Sequence, residues 1–187
     1  MVAMTLSRMM QDKVLVLDGA MGTQIFARNP TVDDYGGAAL EGCVELLNVN
    51  RRRWIQDIHE SYFQAGADAV ETNSFGCNEL VLGDFDIGHR THELNVAAAQ
   101  LAREVAQSFQ TPKFVVGSVG PGTKILTLLQ VDYATLYRSY FAQMKGLLEG
   151  GVDAILIETS QDLGQIKLAM RAARNAMKEM RIQRPVW

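Results

Sequence analysis

The sequence predicts an α/β fold: the N-terminal half of a (β/α)8 TIM barrel, with about four βα units and the start of a fifth strand. Three observations carry this. Short apolar runs end in an acid or another polar group and then meet glycine, as in Val14-Leu15-Val16-Leu17-Asp18-Gly19. Helix-length segments with apolar residues at i, i+3 and i+4 lie between those runs. The chain also echoes itself. Gly66-Ala67-Asp68-Ala69 and Gly151-Val152-Asp153-Ala154 each leave a helix and enter a strand, and those strands end in Glu71-Thr72 and Glu158-Thr159. Glycine closes a helix, helices bury a parallel strand, and polar groups return where the strand leaves the core. Right-handed crossovers place all such exits on one rim. The dinucleotide fingerprint G-x-G-x-x-G does not follow the first strand, which disfavours a doubly wound sheet.

Each element has its own reason. Residues 1–13 form a lead-in, loose or shortly helical, and residues 14–187 form the partial barrel. The first strand, about Val14–Asp18, is continuously apolar, as a strand buried on both faces would be. Residues 22–50 contain Asn29-Pro30, Asp33-Asp34 and Gly36-Gly37, with a short helix expected near Ala39–Leu47. A loop this long beyond a strand end reads as a wall or lid. Helix Arg51–Ala65 carries Ile55, Ile58 and Tyr62, with Trp54 beside them, and Gly66 ends it. A strand follows from Ala67 to Glu71. Helix Thr91–Ser108 aligns Leu94, Ala98, Leu101 and Val105. Strand Phe114–Val119 opens into Gly120-Pro121-Gly122-Thr123. Helix Tyr133–Glu149 aligns Leu136, Tyr140, Met144 and Leu147. Strand Asp153–Thr159 leads to helix Asp162–Met180, whose expected buried stripe is Leu163, Ile166, Met170, Ala173 and Met177. A fifth strand opens at Pro185-Val186-Trp187. Complete barrels need about 250 residues, so the chain is expected to be truncated at its C-terminus, inactive alone, and open to self-association through exposed edges.

Composition narrows the function. The chain has 187 residues, 48% of them hydrophobic, which excludes a largely disordered chain. A net charge of -3 offers no basic surface for nucleic acid. No apolar run approaches the ~18 residues of a membrane span, no signal peptide is recognisable, and a cytoplasmic protein is the default. Cys43 and Cys77 do not make a disulfide framework and lack C-x-x-C spacing, so they read as free thiols. His59, His89 and His92 match no triad or metal motif and read as helix-surface or capping residues.

Asp18, Glu71 and Glu158 all fall at strand exits. Three acids on one rim suit a cationic ligand group, such as an amino-acid ammonium, or a metal; with a raised pKa they also suit acid–base work. Asp68 and Asp153 fall where strands begin, at the opposite end, and are expected to be structural. Gly19 lets backbone approach whatever Asp18 faces. Asn73, Ser74 and Ser118 offer groups for a carboxylate. The turn from Gly117 to Thr123 is either an ordinary turn or an anion nest. It is not a phosphate-binding G-x-x-x-x-G-K-[ST] loop, since Lys124 comes one place late.

Taken together, Leu17-Asp18-Gly19-Ala20-Met21-Gly22-Thr23, Tyr35-Gly36-Gly37 with Glu41-Gly42-Cys43, and Ala65-Gly66-Ala67-Asp68 with Glu71-Thr72-Asn73-Ser74-Phe75-Gly76 resemble the homocysteine-binding domain of the homocysteine S-methyltransferase family. So do Gly117-Ser118-Val119-Gly120-Pro121, the segment Gly146–Asp153, and Leu156-Ile157-Glu158-Thr159-Ser160-Gln161-Asp162. The cobalamin-dependent methionine synthases are the most similar branch. The resemblance covers the chain after about residue 10. It implies that homocysteine binds at the rim, with Asp18 and Glu158 on its ammonium, Gly19, Asn73 and Ser118 around its amino-acid end, and Glu71 as an additional rim residue. It also implies that the intact enzyme uses zinc, held by three cysteines, to present homocysteine as a thiolate. The methyl group comes from methylcobalamin, carried and remethylated by downstream cobalamin- and folate-binding domains. The family's zinc cysteines lie in later strands, so neither zinc nor cobalamin is expected to bind this chain specifically, and no residue in it is assigned a catalytic role. Pro121-Gly122-Thr123-Lys124 departs from the family's threonine-rich turn. Two alternatives stand beside this reading: a cobalamin-independent homocysteine or thiol S-methyltransferase, and a noncatalytic structural fragment.

Overall fold

The computed structural model describes residues 5–187. The lead-in is helical: α1 (Leu6–Asp12) starts at Thr5, whose side chain accepts from the Arg8 amide. Residues 1–4 of the lead-in lie outside the described residues. Beyond the first strand segment come α2 (Met21–Phe26), α3 (Val32–Tyr35) and α4 (Leu47–Asn50). Two 3-10 turns, Ala38–Leu40 and Val44–Leu46, join the last two helices. The expected short helix near Ala39–Leu47 is therefore replaced by a series of single turns. Pro30, Gly36, Gly37 and Gly42 break the stretch too often for longer helices, and the three glycines have positive φ.

The remaining elements are α5 (Arg52–Gln64), β1 (Ala69–Glu71), α6 (Glu79–Gly83), α7 (Thr91–Gln107), β2 (Phe114–Val119), α8 (Tyr133–Glu149), β3 (Ala154–Ile157) and α9 (Leu163–Met180). The short α6, capped by the Asn78 side chain, has no counterpart in the sequence reading. Strands β1, β2 and β3 form a parallel sheet in chain order, with Val70 opposite Val115 and Ser118 opposite Leu156. A parallel bridge extends each edge, Leu17 to Ala69 and Ile155 to Val186. Five segments thus run side by side in sequence order, each pair of neighbours linked through a helix-containing crossover.

The sheet buries both faces. On one, Val70, Val115, Val119 and Ile155 pack under α7, α8 and α9. On the other, Ala69, Phe114, Val116 and Ala154 pack against Leu6 of α1, with Leu15, Leu156 and Trp187 beside them. All six residues of β2 are buried, as befits its central position.

Three expectations need correction. The first segment is not buried on both faces: Val14 is 89% exposed, Val16 55% and Leu17 36%. Among the described residues it has a strand neighbour on one side, through the Asp68 amide to the Val16 carbonyl (2.7 Å) and the Asp18 amide to the Ala69 carbonyl (3.1 Å). The buried face of α9 keeps Ala173 and Met177 of the expected stripe but departs from it in the first half of the helix. Leu163 is 70% exposed and Ile166 and Met170 are only partly buried, while Leu168, Ala169, Ala172, Ala173 and Ala176 are buried. Alanine allows the close α8–α9 approach that longer side chains would prevent. His59 is not a surface residue. It lies on the buried face of α5 with Ile55, Ile58 and Phe63, has no hydrogen-bond partner for either ring nitrogen among the described residues, and burial pushes its pKa down to about 4. No described helix is long and apolar enough to cross a membrane.

Candidate functional site

The C-terminal ends of the parallel segments surround a cavity of about 430 Å³. Asp18 follows the first segment, Glu71 ends β1, Ser118 lies near the end of β2 and Glu158 follows β3. All four line the cavity, together with Gly19, Thr72, Asn73 and Ser74. Parallel strands send their C-terminal ends to the same side of the sheet, which is why residues 140 positions apart in sequence line one cavity. Among the described residues the lining contains four carboxyl groups, counting Glu45, and no lysine, arginine or histidine. Met21, Val44 and Phe75 supply an apolar wall.

The acids are held in distinct ways. Asp18 Oδ1 accepts from the Glu71 amide at 3.0 Å, while Oδ2 is buried without a hydrogen-bond partner among the described residues. Burial raises the Asp18 pKa to about 7. The charges of Glu71 and Glu158 add to that effect, and the Glu71 amide opposes it. Glu71 also rises to about 7, through burial first and then the nearby Glu158 carboxyl. Glu158 Oε1 accepts from Ser118 Oγ at 2.5 Å. The next residue, Thr159, has φ +55, a left-handed conformation that costs a β-branched residue energy.

A polar brace supports these groups. The Ser118 amide donates to Thr72 Oγ1 (3.1 Å), Thr72 and Ser74 hydroxyls meet at 2.6 Å, and Ser74 Oγ donates to the Ser118 carbonyl (2.8 Å). Asn73 Nδ2 donates to the Val44 carbonyl (2.9 Å) and to Asn48 Oδ1 (3.2 Å). Asn73 thus lines the cavity with its amide nitrogen already engaged in binding the 43–48 segment to the rim. Gly19 approaches α5 closely: a Cβ there would come within 3.1 Å of the Tyr62 hydroxyl, which itself donates to the Ala20 carbonyl. In the 117–123 turn, the Gly120 amide donates to the Phe75 carbonyl, and a Cβ at Gly120 would fall 2.7 Å from the Phe75 ring. Those contacts favour the structural turn over the anion nest.

Glu45 was not singled out from the sequence. It is 6% exposed, its Oε1 accepts from the Gly76 amide (3.1 Å), and Cys43 Sγ donates to Oε2 (3.7 Å). Burial raises its pKa. The available signal was an acid inside the apolar run Cys43-Val44-Glu45-Leu46-Leu47. Cys43 and Cys77 are free and buried. Burial and the charge of Glu45 push Cys43 up to about 12 and Cys77 up as well. Zinc binds thiolates, and these two thiols do not fit it. Among the described residues, no three His, Cys, Asp or Glu side chains gather as a metal site.

The cavity can therefore hold a small molecule with a cationic head against the acids and an apolar portion against Met21, Val44 and Phe75. The sequence model described as homocysteine S-methyltransferase matches residues 15–187. A methionine synthase of Mycobacterium tuberculosis is 48% identical over 171 residues, covering 90% of this chain and 14% of that protein. One of Mycobacterium leprae is 46% identical over 178 residues, covering 94% and 15%. The chain thus spans about one-seventh of the length of these curated relatives. The crystal structure of the oxidised homocysteine methyltransferase MmuM from Escherichia coli superposes with a TM-score of 0.73 at 22% identity, over 95% of this chain and 63% of that one, a likeness of fold alone. With its family model covering nearly every residue, the chain belongs to the homocysteine S-methyltransferase family.

Proposed function

We propose that this chain is the homocysteine-holding part of a methionine synthase, and that the carboxyl groups of Asp18 and Glu158 receive the substrate's ammonium. The observation that carries this is the convergence of Asp18, Glu71 and Glu158 on a cavity that no cationic side chain lines among the described residues. An ammonium satisfies the free Asp18 Oδ2 and the crowded acids together. Gly19, Ser118 and the Asn73 segment shape the amino-acid end, Ser118 by fixing Glu158. The apolar wall accommodates the methylene arm of homocysteine.

In this reading, residues 14–187 are the N-terminal half of a (β/α)8 barrel preceded by a lead-in over residues 1–13. The five parallel segments in sequence order support it. The zinc ligands belong to parts of the polypeptide beyond this chain, since Cys43 and Cys77 are the wrong kind of thiol. Methylcobalamin and folate engage further domains of the whole enzyme, which acts in the cytoplasm. This chain alone binds substrate without transferring a methyl group. Its exposed Val14, Val16 and Leu17 edge favours self-association at high concentration. The curated relatives support the methionine synthase branch over a cobalamin-independent methyltransferase.

Calorimetric titration with homocysteine tests the reading. The folded chain should bind, and Asp18→Asn or Glu158→Gln should weaken binding by about tenfold or more without unfolding the protein. A folded wild-type chain that ignores homocysteine at every pH, with or without zinc, would refute substrate holding and favour a noncatalytic structural role.

A further inference from the structure

Glu45 lines the cavity, yet both of its carboxyl oxygens already accept from the protein. Oε1 takes the Gly76 amide at 3.1 Å and Oε2 takes the Cys43 thiol at 3.7 Å. We propose that Glu45 is a positioning residue: by clasping Gly76 it fixes Val44 and Phe75 relative to each other, and so sets which side-chain arm the cavity accepts beyond the ammonium. The inference rests on the cavity being the homocysteine site, as argued above.

Val44 precedes Glu45 and Phe75 precedes Gly76, so the Glu45–Gly76 hydrogen bond joins the two wall residues through their chain neighbours. A second tie links the same segments: Asn73 Nδ2 donates to the Val44 carbonyl (2.9 Å) and Asn48 Nδ2 to the Asn73 carbonyl (2.8 Å). Phe75 is held from the other side as well. Its carbonyl accepts from the Gly120 amide (3.0 Å), and its ring lies against Gly120. Two helices anchor the loop around it. Asn95 of α7 donates to the Cys77 carbonyl (2.7 Å), and Gln143 of α8 donates to the Ser74 carbonyl (2.8 Å). Glu45 is the side chain that holds the Gly76 amide between those anchors.

Gly76 shows how close the clasp is. A Cβ there would stand 2.6 Å from Glu45 Oε1 and 3.3 Å from the Val81 side chain, so a larger residue must push the carboxyl away. Gly76 is buried, and without Glu45 its amide loses its acceptor. A buried donor left unpaired drives the loop toward a conformation that pairs it again, and Phe75 moves with its neighbour. Asp18 and Glu158 follow other strand segments and share no hydrogen bond with Glu45 among the described residues. A change at Glu45 therefore reaches the arm of the ligand and leaves the ammonium contacts in place.

Calorimetry on the 187-residue chain with homocysteine and with alanine tests this, because the two share an amino-acid end and differ in the arm. One well-held methylene is worth roughly 10-fold or more in affinity, so wild type should prefer homocysteine by at least that ratio. Glu45→Ala should cut the ratio by about fivefold or more while alanine binding stays unchanged. Glu45→Gln keeps an oxygen for the Gly76 amide and should retain most of the ratio. Gly76→Ala should lower it as Glu45→Ala does, and the double variant should be no worse than Glu45→Ala alone, since removing the carboxyl removes the clash. Amide hydrogen exchange gives a readout without ligand: Gly76 should exchange about tenfold faster or more in Glu45→Ala. An unchanged Gly76 rate, an unchanged ratio in Glu45→Ala, additive losses in the double variant, or equal weakening of both ligands overturns the positioning role while leaving the homocysteine site standing. A wild-type chain that binds neither ligand overturns the homocysteine reading and the specificity role with it.

Discussion

The same strands carry acids at both of their ends, and the two sets live in opposite surroundings. At the N-terminal ends, Asp68 accepts from Lys13 Nζ (2.6 Å) and from the Val16 amide (3.1 Å). Asp153 accepts from Arg103 (2.5 Å) and from the Val115 amide (2.8 Å). Each therefore joins a cation to the backbone of the neighbouring strand. At the C-terminal ends, Asp18, Glu71 and Glu158 line one cavity, and among the described residues no cationic side chain lines it. The contrast shows in their ionisation. Burial would raise Asp68, but Lys13 and the Val16 amide outweigh it and the pKa falls below its usual value. Asp18 and Glu71 instead rise to about 7. An acid with its counter-charge built in is complete within the fold, whereas an acid without one is complete only when a ligand brings the charge.

The largest break in this contrast should come from Asp18→Asn. Losing a charge-assisted contact in a confined site costs about 1.5–3 kcal/mol, or roughly 10- to 100-fold in affinity. Calorimetry with homocysteine measures it. The same substitution should leave the fold intact and raise its thermal midpoint at pH 8, because it removes a buried carboxylate that lacks a partner. Equal binding by the variant and wild type would place the ammonium elsewhere.

Asp153→Asn should do the reverse. The Arg103–Asp153 pair is about three-quarters buried on each side. Leaving Arg103 with a neutral partner should lower stability by about 1–3 kcal/mol in urea unfolding, with ligand affinity unchanged in the folded fraction. A loss of affinity without a loss of stability would dissolve the distinction between the two ends.

This distinction between the strand ends was legible in the sequence, because position along a strand sets which end an acid occupies. The long helices were legible too: α8 begins and ends where its pattern indicates, and β2 matches its apolar run residue for residue. Local pattern failed where a neighbour decides the outcome. Leu163 looks like core, but it sits at the start of α9 beyond the sheet, and alanines do the packing. His59 looks like surface until the partners of α5 are in place. Glu45 reaches the cavity only because Asn48 and Asn73 fasten its segment to the rim, a link that joins residues 25 apart. The placing of Glu71 and Glu158 on one cavity requires the sheet itself.

The pH dependence of stability should separate the two ends on one axis. Asp18 and Glu71 have folded pKa values raised above those of the unfolded chain. Their contribution is fully present below about pH 4 and is lost as pH rises through about 7. Asp68 has a lowered folded value. Its contribution is present above the usual 3.8 and is lost as pH falls through the folded value. Thermal midpoints of the ligand-free chain should therefore decline from pH 5 to 8, and homocysteine should recover part of that decline. Asp18→Asn should flatten the alkaline side alone. A ligand-free chain most stable at pH 8 would mean that the rim acids already have a counter-charge.

The smallest effect should come from Lys13→Ala. Lys13 is 49% exposed on its side chain, so solvent screens much of its attraction for Asp68. The loss should be about 0.2–1 kcal/mol and should shrink further in 0.5 M salt, where charges on the surface are screened within a few ångströms. Asp68 keeps the Val16 amide in this variant, so the first segment should stay beside β1 and hold Asp18 at the rim. Ligand affinity therefore tests the coupling between the ends. If Lys13→Ala weakens homocysteine binding as strongly as Asp18→Asn does, the N-terminal acids position the rim through the one-bridge first segment, and the two ends act as one device.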